Sequence, residues 1–302
     1  MRISLGLQSH TRRHGPSLRS LVELGARAEG AGLDGVLIGD HVVLGNRLDR
    51  YPYPPVHFTT DAPWAEPLSV LAAIAAVTSR ITLTTGVLVS PLRPAVLLAK
   101  TAATVDAISD GRLELGVGVG WQPEEFAAVG ADFSRRGELL TDGIRACRAL
   151  WGESPARFSS PTVEFDELWC EPTPGRPGGI PVLFSGSLHA RNLRRITELG
   201  AGWITHPGQP LAEIATGVTT LSSSFRDHGR DPGTLVVRTR LPIVRAGAEP
   251  DFPASFARVP DYAAAGVTDL TIWTSSFVDS SDEAHERIDA LGRAWVASRG
   301  DH

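Results

Sequence analysis

The chain has 302 residues, 42% of them hydrophobic and 21% charged, with a formal net charge of −5. This length fits two ordinary domains or one large α/β barrel, and it buries a sizeable core without disulfide or metal staples. The mild negative charge leaves no electrostatic footprint for nucleic acid or for an anionic membrane.

At the N-terminus Ile3–Leu7 reads as a strand, with no secretory apolar region or cleavage site. Leu18, Leu21, Val22, Gly25 and Ala28 follow at helical period. Gly35–Ile38 is the next strand, and a polar, proline-rich insertion covers about 45–63. Leu68–Val77 is helical, and Ile81–Val89 is a β-branched run without clean alternation, as in a strand covered on both faces. Leu97, Thr101, Val105 and Ile108 mark a helix closed by Asp110-Gly111, where glycine suits a left-handed terminal position. Leu113–Val119 is a strand, and Leu140, Ile144, Cys147 and Trp151 mark a helix. A second insertion, about 155–181, carries an expected hairpin around Thr162–Phe165 and Leu168–Cys170. Then come strand Val182–Phe184, helix Ala190–Leu199, strand Gly202–Thr205, helix Leu211–His228 and strand Leu235–Ile243. A short helix around Ala257–Ala265, strand Asp269–Trp273 and a helix with Ile288, Leu291 and Trp295 complete the chain.

Strand-then-helix units in unbroken series predict a parallel sheet, and eight of them close naturally into a (β/α)8 TIM barrel spanning 1–302 as one domain. Two doubly wound domains are the alternative, but no linker or composition break divides the chain. No stretch reaches the ~18 apolar residues of a membrane span. Cys147 and Cys170 form no CxxC pair, which fits a reducing cytoplasm.

Barrel chemistry sits at the C-terminal ends of the strands, so those positions hold the candidate site. The second strand runs into Asp40-His41. A histidine there can move protons near neutral pH with the adjacent aspartate setting its charge or orientation, or it can be structural and bonded to a loop. The third strand contains Gly86-Val87, where glycine marks either a ligand approaching the backbone or close packing. The fourth ends Gly116-Val117-Gly118-Val119-Gly120-Trp121. That spacing is GxGxG, not the dinucleotide fingerprint GxGxxG, and it reads as a wall bared for a flat ring with Trp121 at the rim. Glu124 and Glu125 after Pro123 are ordinary helix-start chemistry and are assigned no catalysis. Ser185-Gly186-Ser187, with Arg191 one turn into the next helix, offers what a phosphate needs, or else a plain serine helix cap. Nine histidines without HExxH or HxH spacing predict no metal site, and the absence of GxSxG argues against an α/β-hydrolase.

The run Glu66-Pro67, Thr78-Ser79-Arg80-Ile81, Thr85-Gly86-Val87, Arg93-Pro94, Ala99-Lys100, Ala103-Thr104-Val105-Asp106, Ser109-Asp110-Gly111-Arg112-Leu113 and Gly116–Trp121 resembles the luciferase-like monooxygenase superfamily, especially its branch dependent on the deazaflavin coenzyme F420. The match is dense over 35–150, recurs from Gly186 to Trp203, and is thin after about Gly208. The resemblance implies a variant barrel, usually dimeric, with a flavin-type ring at the mouth. It places His41, preceded by Asp40, at the active-site histidine, and a non-prolyl cis peptide bulge at Gly86-Val87. It sets Val119 and Gly120 against the pyrimidine side of the ring, and Ser185, Gly186 and Ser187 near the cofactor's polar chain. Trp121 departs from the pattern, standing where sugar-phosphate dehydrogenases of the family carry a glutamate. Lys100 is the only lysine, so the lysines that grip their substrate are absent.

The sequence is therefore read as a cytoplasmic oxidoreductase, a homodimer, moving a hydride between coenzyme F420 and a small apolar or aromatic substrate. His41 exchanges the proton, while Trp121, Trp64, Tyr51 and Tyr53 form a substrate wall, unless these aromatics are packing residues. Arg12, Arg13, Arg47 and Arg50 are the expected partners of the deazaflavin's anionic tail. An FMN-dependent monooxygenase of the same fold is the alternative, and a non-catalytic flavin-binding protein is a second.

Overall fold

The computed structural model describes residues 1–8 and 17–299. Arg12 and Arg13 lie outside them. In chain order the elements are β1 (Arg2–Leu7), α1 (Arg19–Gly30), β2 (Gly35–Ile38), α2 (Pro67–Ala75), β3 (Thr82–Thr85), β4 (Leu88–Val89), α3 (Ala95–Ile108), β5 (Leu113–Gly118), α4 (Pro123–Ala128) and α5 (Arg136–Gly152). They continue with β6 (Ala156–Ser159), β7 (Glu164–Leu168), β8 (Val182–Ser185), α6 (Ala190–Leu199), β9 (Gly202–Ile204), α7 (Leu211–Asp227) and β10 (Val236–Arg240). Last come β11 (Val244–Ala246), β12 (Glu249–Asp251), α8 (Phe252–Phe256), α9 (Val259–Ala264), β13 (Asp269–Trp273) and α10 (Ala284–Arg299).

Eight parallel strands, in the order β3-β2-β1-β13-β10-β9-β8-β5, close on themselves through the β3–β5 pairing. This is the expected (β/α)8 TIM barrel. Val36, Ile38, Leu83, Leu113, Leu115 and Val117 are fully buried in the apolar core, and this double coverage explains the missing alternation in the sequence. Proline and carboxylate caps set several helix starts. Glu66 accepts the Ser69 N–H at 2.7 Å ahead of Pro67, and Asp251 does the same for Ala254 at 2.8 Å.

Inside the barrel, the lower layer is ionic. Arg238, 1% exposed, donates to Glu114 at 2.8 Å and to Asp269 at 2.7 Å, and Arg2 reaches the same two carboxylates at 3.0 and 2.9 Å. Burial pushes the Glu114 carboxyl up, but Arg238 and Arg2 outweigh it and hold the group below the ordinary glutamate value.

Two expected boundaries are corrected. The hairpin of the second insertion pairs β6 with β7, so its strands are Ala156–Ser159 and Glu164–Leu168. Phe158 meets Phe165 across the strands at 5.9 Å, while Trp169, just past β7, stands exposed. The seventh barrel strand stops at Arg240, and residues 244–251 fold back as the β11–β12 hairpin before two short helices replace the single expected one.

Candidate functional site

The site is built at the C-terminal mouth, where β2 ends and the third barrel strand bulges. Between β3 and β4 the Gly86–Val87 peptide is cis, as the resemblance implies. β4 resumes pairing with β5 immediately afterwards, Leu88 against Val117 and Val89 against Gly118. The glycines of β5 serve this bulge. A Cβ on Gly118 would sit 2.9 Å from Val87 Cγ2, and one on Gly120, whose φ is +78°, would sit 2.7 Å from Val89 Cγ1. The expected bare wall is therefore corrected: the surface offered to the mouth is Val87 seated on a glycine bed, with half-buried Val119 beside it.

His41 is 8% exposed, and its partner is not its neighbour in sequence. Its Nδ1 lies 3.1 Å from Oε2 of Glu125, whose Oε1 accepts the Val42 N–H at 2.7 Å. Glu125 is fully buried in the first turn of α4. A carboxylate there accepts from Nδ1–H, which leaves Nε2 as the basic nitrogen of the neutral ring. Asp40 points elsewhere. It accepts the Val89 N–H at 2.9 Å and both Arg93 nitrogens at 2.7 and 3.0 Å, so it ties the end of β2 to the far side of the bulge. The pairing of Asp40 with His41 is thus a correction, and so is the dismissal of Glu125.

An aromatic cage closes around the imidazole. Trp64 stands edge-on at 4.7 Å, Trp121 at 5.7 Å and Phe58 tilted at 5.8 Å. Tyr51 joins it through Trp121 at 5.4 Å, and Tyr53 stacks on His206 at 5.6 Å. The first insertion thereby straps the mouth from β2 to the end of β9. Buried Gln122 anchors its base, accepting the Gly45 N–H at 2.8 Å and donating to the Gly45 carbonyl at 3.1 Å. The structure brings together the expected Trp64, Trp121 and Tyr51, and adds Phe58, Gln122 and Glu125.

The third part lies after β8. Asn192 donates to the carbonyls of Ser185 and Ser187 at 3.2 and 3.1 Å, and Trp203 donates to the Gly186 carbonyl at 2.7 Å. Gly186 has φ +102° and open space where a Cβ would stand. The cap of α6 is His189, not a serine, so neither serine hydroxyl is consumed in capping. Arg191 is exposed in the first turn and its side chain makes no hydrogen bond or ion pair among the described residues, while burial and, after it, the Arg191 charge lower the pKa of Arg195. The loop thus leaves two serine hydroxyls and the Arg191 guanidinium as donors of the kind a phosphate monoester takes. Two of the expected tail partners are already engaged: Arg47 pairs with Asp49 at 2.7 Å and Arg50 with Glu124 at 3.5 Å.

Residues 1–296 match the luciferase-like monooxygenase family. The chain belongs to that family. Among curated relatives, an uncharacterised protein of Mycobacterium tuberculosis is 34% identical over 229 residues, 76% of this chain and 74% of its own. The F420-dependent glucose-6-phosphate dehydrogenase of Amycolatopsis mediterranei is 31% identical over 238 residues, 76% of this chain and 67% of its own. Among solved structures, the monooxygenase RslO1 from Streptomyces bottropensis superimposes with a TM-score of 0.79 at 18% identity, covering 99% of this chain and 100% of its own. As a luciferase-like oxidoreductase or monooxygenase, the chain is an enzyme with relatives that use F420 or flavin. No helix among the described residues is long and apolar enough to cross a membrane.

Proposed function

We propose that this luciferase-like enzyme moves a hydride between coenzyme F420 and a small organic substrate at the barrel mouth. The observation that carries the reading is the buried His41–Glu125 pair inside an aromatic cage beside the Gly86–Val87 bulge. Residues Gly86, Val87, Val119 and Gly120 would support the ring, and Ser185, Gly186, Ser187 and Arg191 would hold the ribityl phosphate. When bound, the deazaflavin supplies or accepts the hydride.

The chain's own groups do the rest. Glu125 fixes the imidazole with Nδ1–H inward, so His41 Nε2 holds or releases the proton that accompanies the hydride at a substrate oxygen or carbon. Trp64, Trp121, Phe58 and Tyr51 exclude water and orient an apolar body, which makes catalysis mainly a matter of positioning. A sugar phosphate is disfavoured by Trp121 and by the lack of lysine at the mouth. A cytoplasmic homodimer completes the reading: Cys147 and Cys170 are buried free thiols, and apolar side chains stand exposed on α3.

Titration of the purified protein with F420 and with FMN, followed by fluorescence at matched ionic strength, tests the cofactor. Tighter binding of F420 is expected. Tighter binding of FMN would replace this reading with an FMN-dependent monooxygenase of the same fold.

A further inference from the structure

The barrel order puts β10 four strands from β3 in either direction, so Arg240 at the end of β10 stands on the wall opposite the Gly86–Val87 bulge. Its inward direction follows from the strand's period of two. Arg238, two residues earlier, points into the barrel, because it bonds Glu114 on β5 across the interior. The two arginines differ in one respect. Arg238 is neutralised by two carboxylates, whereas the Arg240 guanidinium makes no hydrogen bond or ion pair among the described residues.

Among the described residues, the three carboxylates beside His41 and the bulge face other partners: Asp40 meets Arg93, Glu125 meets His41 and Val42, and one oxygen of Glu124 meets Arg50. Arg240 is exposed at the rim of the mouth; the surrounding wall displaces water from the guanidinium and lowers its pKa from its ordinary value, and among the described residues Tyr51 is the titratable neighbour that opposes this. Tyr51 leads back through Trp121 to His41, ring against ring at 5.4 and 5.7 Å. An uncompensated cation thus stands at one end of an aromatic wall, and the proton-transfer histidine stands at the other. A planar two-oxygen anion matches a lone guanidinium fork, while a phosphate would find its clustered donors at Ser185–Arg191 instead.

We propose that Arg240 anchors the carboxylate of an aromatic or unsaturated acid, whose apolar body lies along Tyr51 and Trp121 and whose reacting carbon faces His41. This names the substrate class of the site and rests on reading the mouth as the active site.

Intrinsic tryptophan fluorescence of the full chain without cofactor, titrated with phenylacetate and with 2-phenylethanol, tests it, because Trp64 and Trp121 line the mouth. The acid is expected to bind about tenfold more tightly than the alcohol at low ionic strength. Arg240→Gln should bring the two within about twofold, and Arg240→Lys should keep part of the preference. Equal binding of the two probes by the wild type, no binding of either, or a preference that survives Arg240→Gln overturns the proposal. Failure of F420 to bind in its separate titration would remove the hydride-transfer reading and leave this result intact.

Discussion

Nδ1 of His41 and Oε2 of Glu125 lie 3.1 Å apart although 84 positions separate the residues in sequence. The contact joins the end of β2 to the start of α4 and selects one imidazole tautomer. Glu125→Gln turns its amide N–H₂ either toward the Val42 N–H, which then loses its acceptor, or toward Nδ1, which can receive it only in the opposite ring tautomer. Glu125 is a positioning residue, and its loss should lower kcat by roughly 10- to 100-fold and displace the pH–rate profile. His41→Ala should cost roughly 10²–10⁴ and leave cofactor affinity nearly unchanged. Turnover and an unmoved pH profile in Glu125→Gln would reduce the contact to packing.

Asp40 should behave differently. It holds Arg93, whose side chain is 13% exposed, and Asp40→Ala leaves that guanidinium with only the exposed Glu66 carboxylate at 3.1 Å. The expected loss is about 3 kcal/mol of stability, read by denaturant unfolding, with a smaller effect on kcat than His41→Ala. A catalytic collapse at unchanged stability would return Asp40 to the chemistry.

The contrast between these two acids marks what was legible in the sequence. The barrel was, because β-branched runs buried on both faces and helices with ordinary caps repeat along the chain. Asp40 attracted attention by adjacency, but the chain leaves β2 at Ile38 and the two side chains go to different partners, Asp40 to Arg93 and His41 to Glu125. Glu125 hid behind the commonest explanation for acids after a helix-starting proline. A usable signal existed: Glu124 and Glu125 lie about 100° apart on the helix, and Phe126 beside them is apolar, so one acid had to turn toward the core. Arg240 was legible in principle from the alternation Arg238, Thr239, Arg240. The strap formed by residues 45–63 was not, since the contacts that seat it, Gly45 with Gln122, Tyr51 with Trp121 and Tyr53 with His206, join residues far apart in sequence.

Trp121 meets both His41 and Tyr51, so Trp121→Ala opens the cage without removing a proton-transfer group. KM for the substrate should rise severalfold while kcat changes less. A fall in kcat at constant KM, measured under saturating cofactor, would move Trp121 from substrate binding to the chemical step.

The ionic layer below the site predicts acid sensitivity. Because Glu114 is held below its ordinary value near 4.5, the unfolded chain takes up a proton there before the native state does. Its contribution is full above that ordinary value and fades as pH falls through the lower native one. Glu114→Gln should cost about 3 kcal/mol near neutrality, the low end for a broken buried pair because Asp269 still faces Arg238, and should flatten the acid limb of the stability curve. An unchanged acid limb would place the sensitivity in other carboxylates.

The outer face of α3 bears on assembly. Leu97 is 60% exposed, Ile108 49% and Val96 42%, and Val77 at the end of α2 is 55% exposed. Scattered exposed apolar residues need no explanation, but Leu97, Thr104 and Ile108 recur at helical spacing along one face, and α2 packs beside it. A second copy covering that face would bury it symmetrically, as a two-fold interface does. Leu97→Asp puts a charge on its most exposed apolar residue, at the N-terminal end of α3, without touching the barrel interior. Sedimentation or light scattering should find a dimer for the wild type and a shift toward monomer for the variant, with thermal unfolding becoming concentration-independent. A wild-type monomer at micromolar concentration, or a dimer indifferent to Leu97→Asp, would assign assembly to another surface or to none.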